Sequence, residues 1–134
     1  MSKEVLWNEK LPAECPPDDA KEVDNFVIYR AVVNVPVKRD DFRSLRIMYP
    51  TRKFKPELDC ISHALSCFDT LEKAAEVFDK PSHNEKYIVR IVLTKNCGRI
   101  KQTFQEGHYS WWMYYTCDPR ELDIQVVKEK EIGA

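Results

Sequence analysis

Gly107-His108-Tyr109-Ser110-Trp111-Trp112-Met113-Tyr114-Tyr115 constrains the fold more than any other stretch of this chain. It holds two of the three tryptophans and three of the six tyrosines. Side chains this large and flat favour extended backbone and need burial on both sides of a sheet. Strand alternation puts His108, Ser110, Trp112 and Tyr114 on one face and Tyr109, Trp111, Met113 and Tyr115 on the other. One face therefore belongs to a core, and the other lines a groove in which a flat ligand can stack.

Other elements follow from composition and punctuation. Phe26 to Val33 is rich in β-branched and aromatic residues and reads as a strand that Asn34 and Pro36 end. Tyr87 to Leu93 is apolar on both faces except at Arg90, which makes it a central strand. Arg99 to Phe104 reads as a strand, and Leu122 to Val127 as a half-exposed edge. Cys60 to Phe68 is expected to be a short strand running into a turn. Asp69 is expected to cap a helix, with Glu72 closing a capping box. Leu71, Ala74, Ala75 and Phe78 recur at helical spacing, and Pro81 stops that helix near Asp79. Asp40 or Asp41 is expected to cap a short helix through Met48. Pro12, Pro16 and Pro17 make residues 1–24 an irregular lead-in to a core at 25–128, within one domain of 134 residues. The expected class is α+β, with five or six strands and one or two helices. The sheet is twisted, mainly antiparallel, and either split or continuous.

Five cysteines at irregular spacing favour reduced thiols over a disulfide framework. The run Cys60-x-x-His63-x-x-x-Cys67, read as extended, sends Cys60 to the face opposite His63 and Cys67, so no metal is expected. No apolar run is long enough to span a bilayer. The first nine residues lack the apolar core of a secretory signal, and the expectation is a cytoplasmic chain with no membrane partner.

The net charge of −1 conceals an asymmetry. Residues 1–24 carry three basic and seven acidic side chains, whereas 38–55 carry seven basic residues against Asp40 and Asp41. That basic segment is one candidate contact for nucleic acid or an acidic protein. The other candidate site starts at Arg30. Alternation places it with Phe26, Ile28 and Val32, on a face where a guanidinium needs an acidic partner or an anionic ligand. Ser66, and less strongly Ser62, precedes the capped helix.

Tyr29-Arg30, then Ala64-Leu65-Ser66-Cys67-Phe68-Asp69-Thr70, then Gly107-His108-Tyr109-Ser110-Trp111 resemble, in that order, the strand signatures of ADP-ribosyltransferase-like domains. The resemblance spans roughly residues 26–115. It implies a split antiparallel sheet around an NAD cleft. On that reading Arg30 holds the dinucleotide phosphate, Ser66 orients the nicotinamide side, and His108, Trp112 and Tyr114 contact the cofactor. The Gln/Glu-x-Glu acid motif of the Arg-type members is absent. Glu106 is the only carboxylate near its place, so a catalytic role would fall to Glu106 with Ser66. The expected function is binding of a nucleotide-like ligand, NAD among them, with ADP-ribose transfer left open. The alternative is a non-enzymatic interaction module using residues 38–55.

Overall fold

The computed structural model describes residues 6–81 and 83–130. The first five residues of the expected lead-in lie outside that range. Six strands form one antiparallel sheet: β1 Phe26–Val32, β2 Leu65–Phe68, β3 Tyr87–Leu93, β4 Gly98–Gln102, β5 His108–Met113 and β6 Asp123–Glu129, in the order β4-β5-β2-β1-β3-β6. Three short helices accompany it: α1 Leu45–Met48, α2 Asp59–Ser62 and α3 Leu71–Phe78. The class is α+β, with one more helix than the sequence suggested. No helix among the described residues is long and apolar enough to cross a membrane.

Both faces of the sheet are covered, as the aromatic run requires. On one face Ile28, Val32, Leu65, Cys67, Val89, Ile91, Leu93, Trp111 and Met113 make the main core, closed by Val37, Phe42 and Cys117. Each large apolar side chain buried there contributes about 1.5–3 kcal/mol. On the other face Leu71, Ala74, Ala75 and Phe78 of α3 pack on Phe68 and Ile88. This is the face that their spacing predicts. Beyond α3, the lead-in covers Trp112, with Leu11, Cys15 and Ala20 against it. Trp111 and Trp112 donate their indole N–H groups to the carbonyls of Cys97 (2.9 Å) and Cys60 (3.1 Å), so neither buried donor is orphaned.

The lead-in is irregular but fastened. Lys21 and Ile100 exchange backbone hydrogen bonds at 2.8–2.9 Å along β4, and Trp7 bridges to Tyr114. A disulfide joins Cys15 to Cys60, with Cα atoms 5.5 Å apart. That bond corrects the expectation of five reduced thiols, which rested on an odd count and could not see two cysteines 45 residues apart brought together. Cys67, Cys97 and Cys117 are free and buried.

Three local expectations are also corrected. Residues 59–62 form a helical turn instead of a strand, so only Leu65–Phe68 is extended. The Ser62 hydroxyl donates to the Asp59 carbonyl at 2.5 Å, a back-bond that an extended chain cannot make. The cap of α3 is Thr70, whose Oγ1 accepts from the Lys73 amide at 3.2 Å. Asp69 lies in the bend before that cap, where its amide donates to the Gly107 carbonyl at 2.9 Å. Finally, α1 is capped by Ser44 and not by an aspartate. Asp41 instead ties the loop after β1. Its Oδ1 accepts from the amides of Val33 (2.9 Å) and Asn34 (3.2 Å), and its Oδ2 from Lys38 (2.9 Å).

Candidate functional site

The strands β1 and β2 meet at the register pair Tyr29↔Phe68. Beyond it they part, and the Arg30 side chain fills the gap. Its Nη1 donates to the Ser66 carbonyl at 2.6 Å, and its Nε and Nη2 donate to the Asp41 carbonyl at 3.2 and 3.0 Å. The guanidinium also lies over the Phe42 ring, 5.7 Å from its centroid. Burial lowers the Arg30 pKa, while Cys67, Glu85 and Asp41 act in the opposite sense. No carboxylate among the described residues forms an ion pair with it. A guanidinium held by carbonyl oxygens keeps its full charge and still offers N–H groups.

That charge borders a cavity of about 400 Å³, within the range of small-molecule sites. The cavity opens on the α3 face of the sheet. Ser66, His108 and Ser110 line its floor, Val77 and Phe68 one wall, and Leu45, Met48, Phe54, Leu58 and Ile61 another. Arg43, Arg52 and Phe104 also line it. Phe54 lies beneath both Arg46 and Arg52, whose guanidinium carbons are 4.5 and 5.3 Å from its centroid. His83 and Glu85 are further lining residues, 3.3 Å apart.

His108 is the most constrained group in the cavity. The hairpin between β4 and β5 turns through Phe104 (φ 64°) and Gly107 (φ 84°), and the His108 amide donates to the Gln105 carbonyl at 3.2 Å. Its imidazole stands between Phe68 and Phe104, with centroids 5.1 and 5.3 Å away. Nδ1 is 3.2 Å from the Thr103 carbonyl and 3.1 Å from Thr103 Oγ1, and Nε2 is 2.7 Å from Ser66 Oγ. Burial lowers the pKa of this imidazole, with the Thr103 hydrogen bond opposing it. Phe104 is 70% exposed despite a positive φ. An aromatic side chain held out in left-handed backbone is a strained arrangement of the kind that clusters at binding sites.

Of the residues singled out from sequence, Arg30, Ser66 and His108 come together here, and Ser62 joins them on the wall. Trp112 and Tyr114 stand apart. The lead-in buries Trp112, and the Tyr114 hydroxyl donates to Glu22. Glu106 is exposed and does not line the cavity, and its carbonyl accepts from Lys73 Nζ at 2.7 Å. Sequence reasoning missed His83, Glu85, Phe54 and Phe104. They lie in turns and loops, where no periodicity marks a shared wall.

The cysteines do not enter this chemistry. Burial pushes the Cys67 thiol up to about 12, and its sulfur lies against the Tyr109 carbonyl on the core face. Cys60 is oxidised with Cys15, and His63 caps α2 beside Glu9 instead of sharing a strand face with Cys67. The spacing Cys60-x-x-His63-x-x-x-Cys67 is therefore not a ligand set. Cys97 and Cys117 belong to the core on the far side of the sheet.

Comparison with known proteins finds no family model, no curated protein and no solved structure that matches this chain.

Proposed function

We propose that this domain binds a small anionic, nucleotide-like ligand in the cavity beside Arg30. The observation that carries the reading is the half-buried Arg30 guanidinium. It has no carboxylate partner among the described residues and borders a cavity that Arg43 and Arg52 also line. A phosphate or carboxylate group supplies the missing negative charge, and the forked donors of arginine suit either. Phe54, Phe104 and His108 offer flat surfaces for a base or a nicotinamide ring. NAD, the ligand implied by the family resemblance, is the first to try, although a cavity of about 400 Å³ suits one nucleotide half better than a whole dinucleotide. The reading stops at binding. ADP-ribose transfer through Glu106 would need that carboxylate in the cavity, and Glu106 is not among its lining residues.

Thermal denaturation with NAD, ADP-ribose and AMP tests the reading directly. A ligand at 100 times its Kd adds about 2.7 kcal/mol of stability. Stabilisation that Arg43→Ala and Arg52→Ala reduce is the expected result. No stabilisation by any of the three at millimolar concentration refutes it.

The second reading, a nucleic-acid or acidic-protein contact through residues 38–55, is favoured by exposed Lys38, Lys53 and Lys55. Much of the remaining charge there is already engaged. Arg39 donates to the carbonyls of Tyr115 and Cys117, and Arg46 pairs with Asp59 at 2.6 Å. Oligonucleotide binding that weakens steeply with salt would support this reading.

A further inference from the structure

Ser66 and His108 meet across the β2–β5 ladder. The register pairs Ser66↔Ser110 and Phe68↔His108 put Ser66 and His108 on one face as diagonal neighbours, a separation that long side chains bridge. The Ser66 hydroxyl is 2.7 Å from His108 Nε2. On the other side of the ring, the Thr103 carbonyl lies 3.2 Å from Nδ1. A carbonyl oxygen only accepts, so this contact favours the tautomer with the proton on Nδ1 and the Nε2 lone pair facing the serine. Nucleotide binding alone requires none of this geometry.

The other hydroxyls of the cavity are engaged differently. Ser62 Oγ donates to the Asp59 carbonyl and accepts from Arg46 Nε at 3.2 Å. Ser110 Oγ is buried against Thr103 Oγ1 at 2.8 Å. Ser66 is exposed to the cavity, and its hydroxyl makes a single bond, to the imidazole. Arg30 Nη1, bonded to the Ser66 carbonyl, keeps a fixed positive charge beside the same residue.

We propose that Ser66 is a nucleophile activated by His108, and that the cavity accepts a small carboxylic ester bearing an anionic group and cleaves it by acyl transfer. The proposal rests on the cavity being the ligand site argued above, but not on the ligand having a base. Ser66 Oγ attacks the ester carbonyl carbon as its proton passes to His108 Nε2. The tetrahedral oxyanion develops in the field of Arg30. The carbon–oxygen bond to the alcohol then breaks, and His108 returns the proton to the departing alkoxide. Water attacks the acyl-serine, giving its proton to Nε2, and the carbonyl–Oγ bond breaks as His108 passes that proton to Oγ, which releases the carboxylic acid and restores both Ser66 and the neutral imidazole. The apolar wall of Leu45, Met48 and Phe54 holds the acyl or aryl part, and Arg43 and Arg52 hold the charged group. Thr103 is a positioning residue, since its main chain favours that tautomer.

The test uses the full chain with two probes, an alkyl fluorophosphonate read by intact mass and peptide mapping, and 4-nitrophenyl hemisuccinate read by absorbance. One adduct, on Ser66, is expected. Ser66→Ala abolishes it, and His108→Gln slows it at least about 100-fold, the typical scale of general-base assistance. Wild-type labelling rises with pH to a plateau as His108 loses its proton, a readout that needs no variant to fold. Binding of NAD and AMP is followed in parallel by thermal denaturation. An adduct on Ser66 without nucleotide stabilisation removes the nucleotide reading and keeps the dyad. Nucleotide stabilisation without an adduct on Ser66 overturns the dyad and keeps the binding reading. An adduct elsewhere, or one indifferent to His108→Gln and to pH, also overturns it.

Discussion

Replacing Arg30 by alanine tests whether one guanidinium joins the two halves of the sheet. The substitution removes three hydrogen bonds, at 2.6, 3.0 and 3.2 Å, and leaves the carbonyls of Ser66 and Asp41 without their donor. An orphaned buried acceptor costs about 1–3 kcal/mol. Ser66 adjoins the cavity, where water can replace the lost donor, so its loss falls at the low end. The Asp41 carbonyl belongs to a buried residue and loses two donors, so it falls at the high end. Removing a half-buried cation recovers part of its desolvation cost. A net loss of about 2–4 kcal/mol follows, which at an m-value near 2 kcal/mol/M lowers the urea midpoint by about 1–2 M. Arg30→Lys separates charge from geometry. A single ammonium keeps the charge but not the fork, so its midpoint should fall between alanine and wild type. The assay is equilibrium urea unfolding followed by tryptophan fluorescence. If Arg30→Ala moves the midpoint by less than about 0.3 M at an unchanged m-value, the guanidinium is not joining β1, β2 and the Asp41 loop.

Three further outcomes are expected. Gly98 has φ +130°, and a Cβ there would run into the Trp112 carbonyl of the neighbouring strand, so Gly98→Ala should cost at least about 3 kcal/mol in a thermal or urea melt. His63 and His108 both have folded pKa values below their ordinary 6.5, first from burial and for His63 also from Arg46. Their contribution to stability is therefore full above about pH 6.5 and is lost as pH falls through the depressed folded values; a urea midpoint no lower at pH 5.5 than at 7.5 would contradict this. Reducing the Cys15–Cys60 bridge frees a 45-residue separation, and by chain entropy should lower stability by up to about 4 kcal/mol, measurable as a fall in Tm with dithiothreitol that Cys15→Ser makes redundant.

The parts of the fold visible in sequence are those whose reasons are local. The strands at Phe26–Val32 and Tyr87–Leu93 stand within a residue of expectation because β-branched and aromatic runs leave little choice of backbone. The apolar face of α3 was equally legible, from a spacing of three and four. Residues 59–62 were not, because a single helical turn has no period to read. Within the site, Arg30 could be singled out by its phase alone. The partnership of Ser66 with His108 depends on the β2–β5 register across 42 residues, which alternation within either strand does not specify. Trp112 shares a strand face with His108, yet a chain segment more than 90 residues away covers it. The same periodicity thus yields a cavity wall at one end of β5 and a sealed core at the other.

The two outer strands of the sheet differ in a way that governs how copies of this chain can stick together. Along β4, Lys21 occupies backbone groups of Ile100, so the lead-in serves as a cover. Along β6 the strand pairs with β3 on one side, and among the described residues no strand pairs with the other. Val126 and Val127 are exposed there, next to the charges of Lys128 and Glu129. A sheet with one receptive margin is self-limiting. Where copies meet through β6, each end of the joined pair presents a β4 that the lead-in bridges at Ile100, which works against running on into a fibre. Cutting the lead-in away through Lys21 would free the Ile100 backbone groups and remove the bridge that stands against edge-to-edge growth at that second margin.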